Sequence, residues 1–190
     1  RELGQDQYES LVVVTTPNCS SPGLAFLTTA HAGFETSAEV SDYWRSLRDN
    51  NLKVAAGWED AYFVDFTRYG GDRPIVLSYA SSPSAEVKED GTPGSAALRT
   101  ECFRQIEYAG VLDNADNTPG ARAIVEFLLG DSFQASVPEN MYVYPINEAI
   151  EVPEAWAKFA QPADSLLGEA SDINANRDQW LADWSDVFDN

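Results

Sequence analysis

Lysine is nearly missing from these 190 residues: only Lys53, Lys88 and Lys158 occur, against 31 acidic side chains and a formal charge of −19. Nucleic-acid and anionic-lipid partners need a basic footprint, and no cluster of cations offers one. Histidine occurs once, as His31, and cysteine twice, as Cys19 and Cys102, without CxxC spacing. That excludes the usual zinc and haem patterns. A Ser–His mechanism would hang on His31 alone, which lies in an amphipathic stretch and reads as a structural histidine. GxSxG, HExxH, a P-loop and a GxGxxG in a βαβ setting are also missing, so nothing marks an enzyme. No apolar run approaches the length needed to cross a bilayer.

What is present is aromatic: five Trp, eight Tyr and nine Phe, enough for a core and for a pocket wall besides. Strand and helix patterns alternate. Leu11–Thr15 is a short β-branched run that reads as a buried strand, and a helix follows over Leu24–Phe34. Thr36 and Glu39 form a capping-box pattern, opening a helix whose Val40, Tyr43, Trp44 and Leu47 share one face. Leu52–Ala56 reads as a strand, Trp58–Tyr69 as a helix and Pro74–Ala80 as a third strand. Lys88–Thr100 reads as a loop or crossover, and Phe103–Leu112 as a longer strand. Pro119-Gly120 opens a helix to Leu129, with Ala123, Phe127 and Leu128 facing inward. Pro138–Ile146 reads as extended, and short and long helices follow near Glu154–Phe159 and Ser171–Phe188. Trp180, Leu181, Trp184, Val187 and Phe188 make an apolar stripe on the last helix. This order predicts an α/β layer with a mostly parallel sheet flanked by helices, whose ligands sit beyond the carboxyl ends of the strands.

Three strand ends carry unusual chemistry. Cys19-Ser20-Ser21-Pro22-Gly23 follows the first strand; serine caps a helix N-terminus, proline suits its first turn, and the unpartnered amides favour an anion. The same Ser-Ser-Pro recurs as Ser81-Ser82-Pro83 after the third strand. Plain capping competes with a polar binding rim at both places. Gly57-Trp58-Glu59-Asp60-Ala61-Tyr62 follows the second strand: a ring face attracts a flat cation and carboxylates balance its charge. The plainer account puts Trp58 in the core and the two acids in a helical first turn, where the dipole favours them. Tyr79, Tyr142 and Tyr144 offer apolar faces with polar tips, suited to a wet pocket wall or to ordinary packing. A Cys19–Cys102 disulfide would fit an exported protein and add about 4–5 kcal/mol by chain entropy, while two buried thiols are the alternative. The acidic balance either attracts a cationic ligand or simply keeps the surface soluble.

Taken in order, TTPNCSSPGLAFL (15–27), KVAAGWEDAYFVDF (53–66), RPIVLSYASSPSAEV (73–87), FRQIEYAGVL (103–112) and SVPENMYVYPINEAIEVPEAW (136–156) resemble the thiamine-binding solute-binding proteins of bacterial and archaeal ABC importers. The resemblance implies a two-lobed, second-type periplasmic-binding-protein fold. It implies capture of thiamine and its phosphates without chemistry on the ligand, no cofactor, and delivery to a membrane permease from outside the cytoplasm, as a monomer. Ser20 occupies the serine of the S-[ST]-P-G-L loop that holds the hydroxyethyl or phosphate end. Trp58 and Tyr62 occupy the G-W-x-x-A-Y segment, and Tyr79 the L-S-Y-x-x-S-P pocket tyrosine. Ser21 and Ser81 join the polar rim, and Tyr142 falls where well-known members carry a tryptophan that stacks on the ligand. Cys19 is not general in that family.

Members are considerably longer, with a first lobe preceding the segment near Tyr8-Glu9-Ser10-Leu11, so the resemblance implies a carboxyl-terminal portion lacking most of that lobe. The expected divisions are residues 1–100 as the core of the second lobe, 101–145 as a crossover strand and helix returning toward the first lobe, and 146–190 as helices packing on the second. Two alternatives stand beside this reading: ferric iron or a polyamine on the same scaffold, and a thiamine-pyrimidine enzyme using Cys19 as nucleophile. Tyr142 and Tyr144, two apart, would point to opposite sides of an extended chain, which argues against a phenolate iron site.

Overall fold

In chain order the strands are β1 (Val12–Thr15), β2 (Lys53–Ala55) and β3 (Ile75–Val76). The helices are α1 (Ser21–Gly33), α2 (Ser37–Asp49), α3 (Thr118–Leu129), α4 (Asp131–Gln134), α5 (Val137–Met141), α6 (Glu154–Phe159) and α7 (Ala170–Phe188). The computed structural model describes residues 1–166 and 168–189. The chain forms two compact units: one of residues 1–79, 99–104 and 163–190, the other of 80–98 and 105–162. The chain passes between them at 79/80, 98/99, 104/105 and 162/163.

The first unit is built on a parallel sheet of order β2-β1-β3. All four β1 residues are buried, and the alternation of a strand explains how. Val12 and Val14 point into a core with Leu27, Val40, Trp44, Leu47, Trp184 and Val187. Val13 points the other way, onto Ala55 and Ala61. A strand covered on both faces needs the continuous apolar run that Leu11–Thr15 supplies. Helix α2 starts at the predicted capping box, with Thr36 and Glu39 each bonding the other's backbone. The stripe on α7 packs against α1 and α2, and Trp184 sits edge-on to Trp44 at 4.8 Å and stacked on Phe188 at 4.2 Å.

The expected helix from Trp58 to Tyr69 forms in a different shape. It widens to a π-helix over Asp60–Asp65, with the Phe66 N–H bonding the Ala61 carbonyl, then closes as a 3-10 turn over Thr67–Tyr69. The third strand is shorter than Pro74–Ala80: it pairs Ile75 and Val76 with Val12 and Val13, and Leu77 adds one bond to Val13.

Beyond the sheet the sequence reading needs three corrections. Phe103–Leu112 alternates like a strand, but no ladder forms along it among the described residues; Ile106, Leu112 and Tyr108 stand exposed, Tyr108 by 88%. Side-chain alternation alone cannot make a strand without a neighbour to take its backbone hydrogen bonds. Pro138–Ile146 is not extended throughout. Val137–Met141 is helical because Pro138 sits in the first turn, where its missing N–H costs nothing. Helix α3 is present as expected, yet none of its residues is buried, and Phe127 and Ala123 are exposed. No helix among the described residues is long and apolar enough to cross a membrane.

Candidate functional site

Strand β1 ends in Thr15, and the turn that follows delivers Ser20 to the start of α1. Ser20 donates its hydroxyl to Thr15 Oγ1 at 2.8 Å and accepts from the Gly23 N–H at 3.4 Å. Leu24 N–H bonds the Ser20 carbonyl, and Pro22 has no N–H, so Ser21 holds the remaining first-turn amide on an exposed residue. Gly23 is buried against the strand end: a Cβ there would lie 2.5 Å from both the Thr15 and Thr16 carbonyl oxygens. Helix α1 therefore begins in direct contact with β1, and Ser20 is engaged with the chain itself. Thr15, which the sequence reading passed over as strand, is the buried anchor of this turn.

Trp58 and its neighbours form an aromatic wall on the same unit. Its indole N–H donates to Ser78 Oγ at 3.0 Å. Tyr62, only 4% exposed, stacks beneath the indole at 4.7 Å and 19°. Phe63 meets both rings edge-on at 5.4 Å, and Tyr69 meets Phe63 at 4.9 Å. The π-helix accounts for this: its i→i+5 turn brings Phe63 as well as Tyr62 to Trp58, which a regular helix would not. Phe63 and Tyr69 were not predicted, and the sequence holds no signal for a wide turn. Tyr79, 44% exposed, lies 5.9 Å from Trp58 at 53°. A planar ligand between two rings needs about 7 Å, twice a carbon–carbon contact. Trp58 and Tyr79 therefore stand too close for a planar group to lie between them. Glu59 and Asp60, both exposed, place negative charge beside it.

On the second unit Ser81 and Tyr142 are joined directly. Ser81 is 2% exposed and donates its hydroxyl to the Tyr142 carbonyl at 2.8 Å, while Tyr142 presents a ring that is 53% exposed. Ser81 is thus a buried support and Tyr142 an outward aromatic face. Tyr144 packs edge-on against buried Trp156 at 5.4 Å while remaining exposed on its other side.

The disulfide reading is corrected: Cys19 and Cys102 are both thiols. Cys19 is exposed in the turn before α1, whereas Cys102 is half-buried in a strap that bridges to Ser165, so each is held by different neighbours. Burial and nearby Asp164 push the Cys102 thiol up. His31 is structural. It stacks on Trp180 at 4.1 Å and 9°, its Nε2 is buried without a hydrogen-bond partner among the described residues, and burial lowers its pKa to about 4 against the opposing pull of Asp183. No group of three or more His, Cys, Asp or Glu among the described residues could hold a metal ion.

The first unit thus has a parallel sheet with a capped helix at one strand end and aromatic side chains at the two others. The structure superposes on a periplasmic thiamin binding protein with a TM-score of 0.80 at 23% identity, covering 98% of this chain and 57% of that one, which establishes the fold. In sequence the chain is 28% identical over 187 residues to the thiamine-binding periplasmic protein of Brucella abortus biovar 1 (strain 9-941), covering 97% of this chain and 54% of the relative. It is 25% identical over 186 residues to the thiamine-binding periplasmic protein of Escherichia coli (strain K12), covering 97% and 55%. The chain thus spans about half the length of the curated relatives it matches, each of which is named as a thiamine-binding protein. No family model matches the chain.

Proposed function

We propose that this chain is the ligand-binding part of an extracytoplasmic solute-binding protein that captures thiamine and its phosphates and delivers them to an ABC importer, with no chemistry on the ligand. The carrying observation is the match to thiamine-binding periplasmic proteins along 97% of the chain. It is supported by the wall of Trp58 and Tyr79 beside the exposed Glu59 and Asp60. A thiazolium is flat and cationic; aromatic faces attract it through the ring quadrupole, and nearby carboxylates raise its local concentration. In the first unit Trp58 and Tyr79 are the aromatic contacts, Tyr62 backs Trp58, and the Ser20–Ser21 turn offers the polar end suited to a hydroxyl or phosphate. The second unit, taken by itself, presents its own outward aromatic face in Tyr142. The partner is a membrane permease, and the protein acts as a monomer.

Ferric iron, a polyamine, and an enzyme using Cys19 are not favoured, since the relatives described above carry thiamine in their names and none of those alternatives. Titration of the complete protein with thiamine, its monophosphate and its diphosphate, followed by tryptophan fluorescence, tests the reading. Saturable quenching that Trp58→Ala weakens at least tenfold is expected, the scale of a lost stacking and cation–π contact. A flat response to all three ligands, with saturation by ferric iron or spermidine instead, would remove thiamine.

A further inference from the structure

Tyr142 is the unusual residue of the second unit. Its backbone lies in the left-handed region, at φ 56° and ψ 30°, where it ends α5. That conformation is routine for glycine and accessible to asparagine, whose short side chain bonds locally; a bulky aromatic residue adopts it only under constraint. The constraint is visible. The buried Ser81 hydroxyl holds the Tyr142 carbonyl at 2.8 Å, and Ser81 is itself fixed because its own carbonyl accepts from the Ser84 hydroxyl at 2.7 Å and the Ser84 N–H at 3.0 Å. The 3-10 turn Ser82–Glu86 that carries Ser84 packs on α6. Downstream, Tyr144 is wedged on Trp156 of α6, and the Ile146 N–H bonds Gln134 Oε1 at 2.8 Å.

The backbone at 142 is therefore pinned from both sides by groups that make no use of the tyrosine ring. Glycine would satisfy every one of these bonds without strain, yet the position holds an aromatic side chain that is 53% exposed. Strain kept at an outward-facing ring points to a use for that ring. We propose that Ser81 is a positioning residue: it does not touch the ligand, but clamps Tyr142 in the left-handed conformation that aims its ring at a planar cationic ligand. The proposal rests on the thiamine reading for the identity of that ligand.

Two readouts on the complete protein test it. Without ligand, the 13Cα and 13Cβ shifts and the HN–Hα coupling of Tyr142 report its backbone; Ser81→Ala should move them away from left-handed values, and Ser81→Thr, which keeps the hydroxyl, should restore them. With thiamine, Ser81→Ala should weaken binding about fivefold in the Tyr142 protein, the loss of one hydrogen bond. In a Tyr142→Ala background the same change should weaken it less than twofold, because no ring is left to aim. Equal weakening in both backgrounds would overturn the proposal, since Ser81 would then act on the ligand or on the unit at large. Unmoved Tyr142 shifts in Ser81→Ala would also overturn it. If the unaltered protein fails to bind thiamine, the thiamine reading alone falls, and the shifts still decide the clamp.

Discussion

Gly23 and Gly120 occupy the same place in the same local motif, third residue of a helix that opens Ser-Pro-Gly in α1 and Thr-Pro-Gly in α3. Substituting each by alanine separates local from tertiary effects. Alanine is intrinsically the better helix former by up to about 1 kcal/mol. At Gly23 the new Cβ would lie 2.5 Å from two backbone oxygens and 2.7 Å from the Thr16 carbonyl carbon. Ordinary C···O contacts are about 3.3 Å or more, so α1 must retreat from β1 by nearly an ångström. Overpacking of this kind costs about 1–3 kcal/mol, and backbone cannot swing aside, so the upper part of that range applies. The net expectation for Gly23→Ala is a loss of about 1–2 kcal/mol, a fall in melting temperature of about 2–8 °C for a chain of this size. At Gly120 the nearest atoms to the Cβ would be those of the Asn117 side chain, the first at 2.5 Å. Losing that cap costs about 1 kcal/mol, which the propensity gain offsets, so Gly120→Ala should be near neutral. Circular dichroism through thermal and urea unfolding reads both. A Gly23→Ala protein as stable as the parent, or more so, would refute the claim that α1 is seated on the strand end.

Trp184→Ala removes a side chain with 1% exposure between Trp44, Phe26 and Phe188; a loss of about 3–5 kcal/mol is expected in urea unfolding, and less than 1 would mean α7 does not close this core. His31 has a folded pKa of about 4 against 6.5, so the unfolded chain binds the extra proton. Its contribution is complete above about pH 6.5 and is lost as pH falls toward 4. The full linkage value would be about 3 kcal/mol, reduced to about 1–2 because solvent reaches the half-buried ring. The difference in unfolding free energy between parent and His31→Gln should shrink by that amount from pH 7 to pH 4, and a constant difference would refute it. Cys19, exposed, should react with a thiol reagent at pH 8 well before Cys102, whose raised pKa keeps it in the less reactive thiol form; mass mapping of a single-labelled product distinguishes them.

Much of the first unit could be read from residues alone. Leu11–Thr15 announced a strand buried on both faces, Thr36 with Glu39 announced the start of α2, and the Trp180–Phe188 stripe announced which side of α7 would be covered. These signals are local, since caps act within one turn and apolar periodicity needs only a face to bury. The aromatic and serine positions were legible in the same way, as residue types at strand ends. Their contacts within the chain were not: Ser20 bonds Thr15, Tyr62 stacks on Trp58 and Ser81 bonds the Tyr142 carbonyl.

The sequence by itself determined where α1 and α3 start, because Ser20 and Asn117 each reach the amide three residues on regardless of what surrounds the helix. Only the tertiary structure decided that Gly23 is held against two carbonyls while Gly120 faces its own cap, that Phe103–Leu112 finds no ladder among the described residues, and that a wide turn gathers Phe63 to Trp58. A capping bond spans three residues and is written in three letters. A close approach between segments depends on which pieces of chain the core brings together, and no short stretch of residues contains that information.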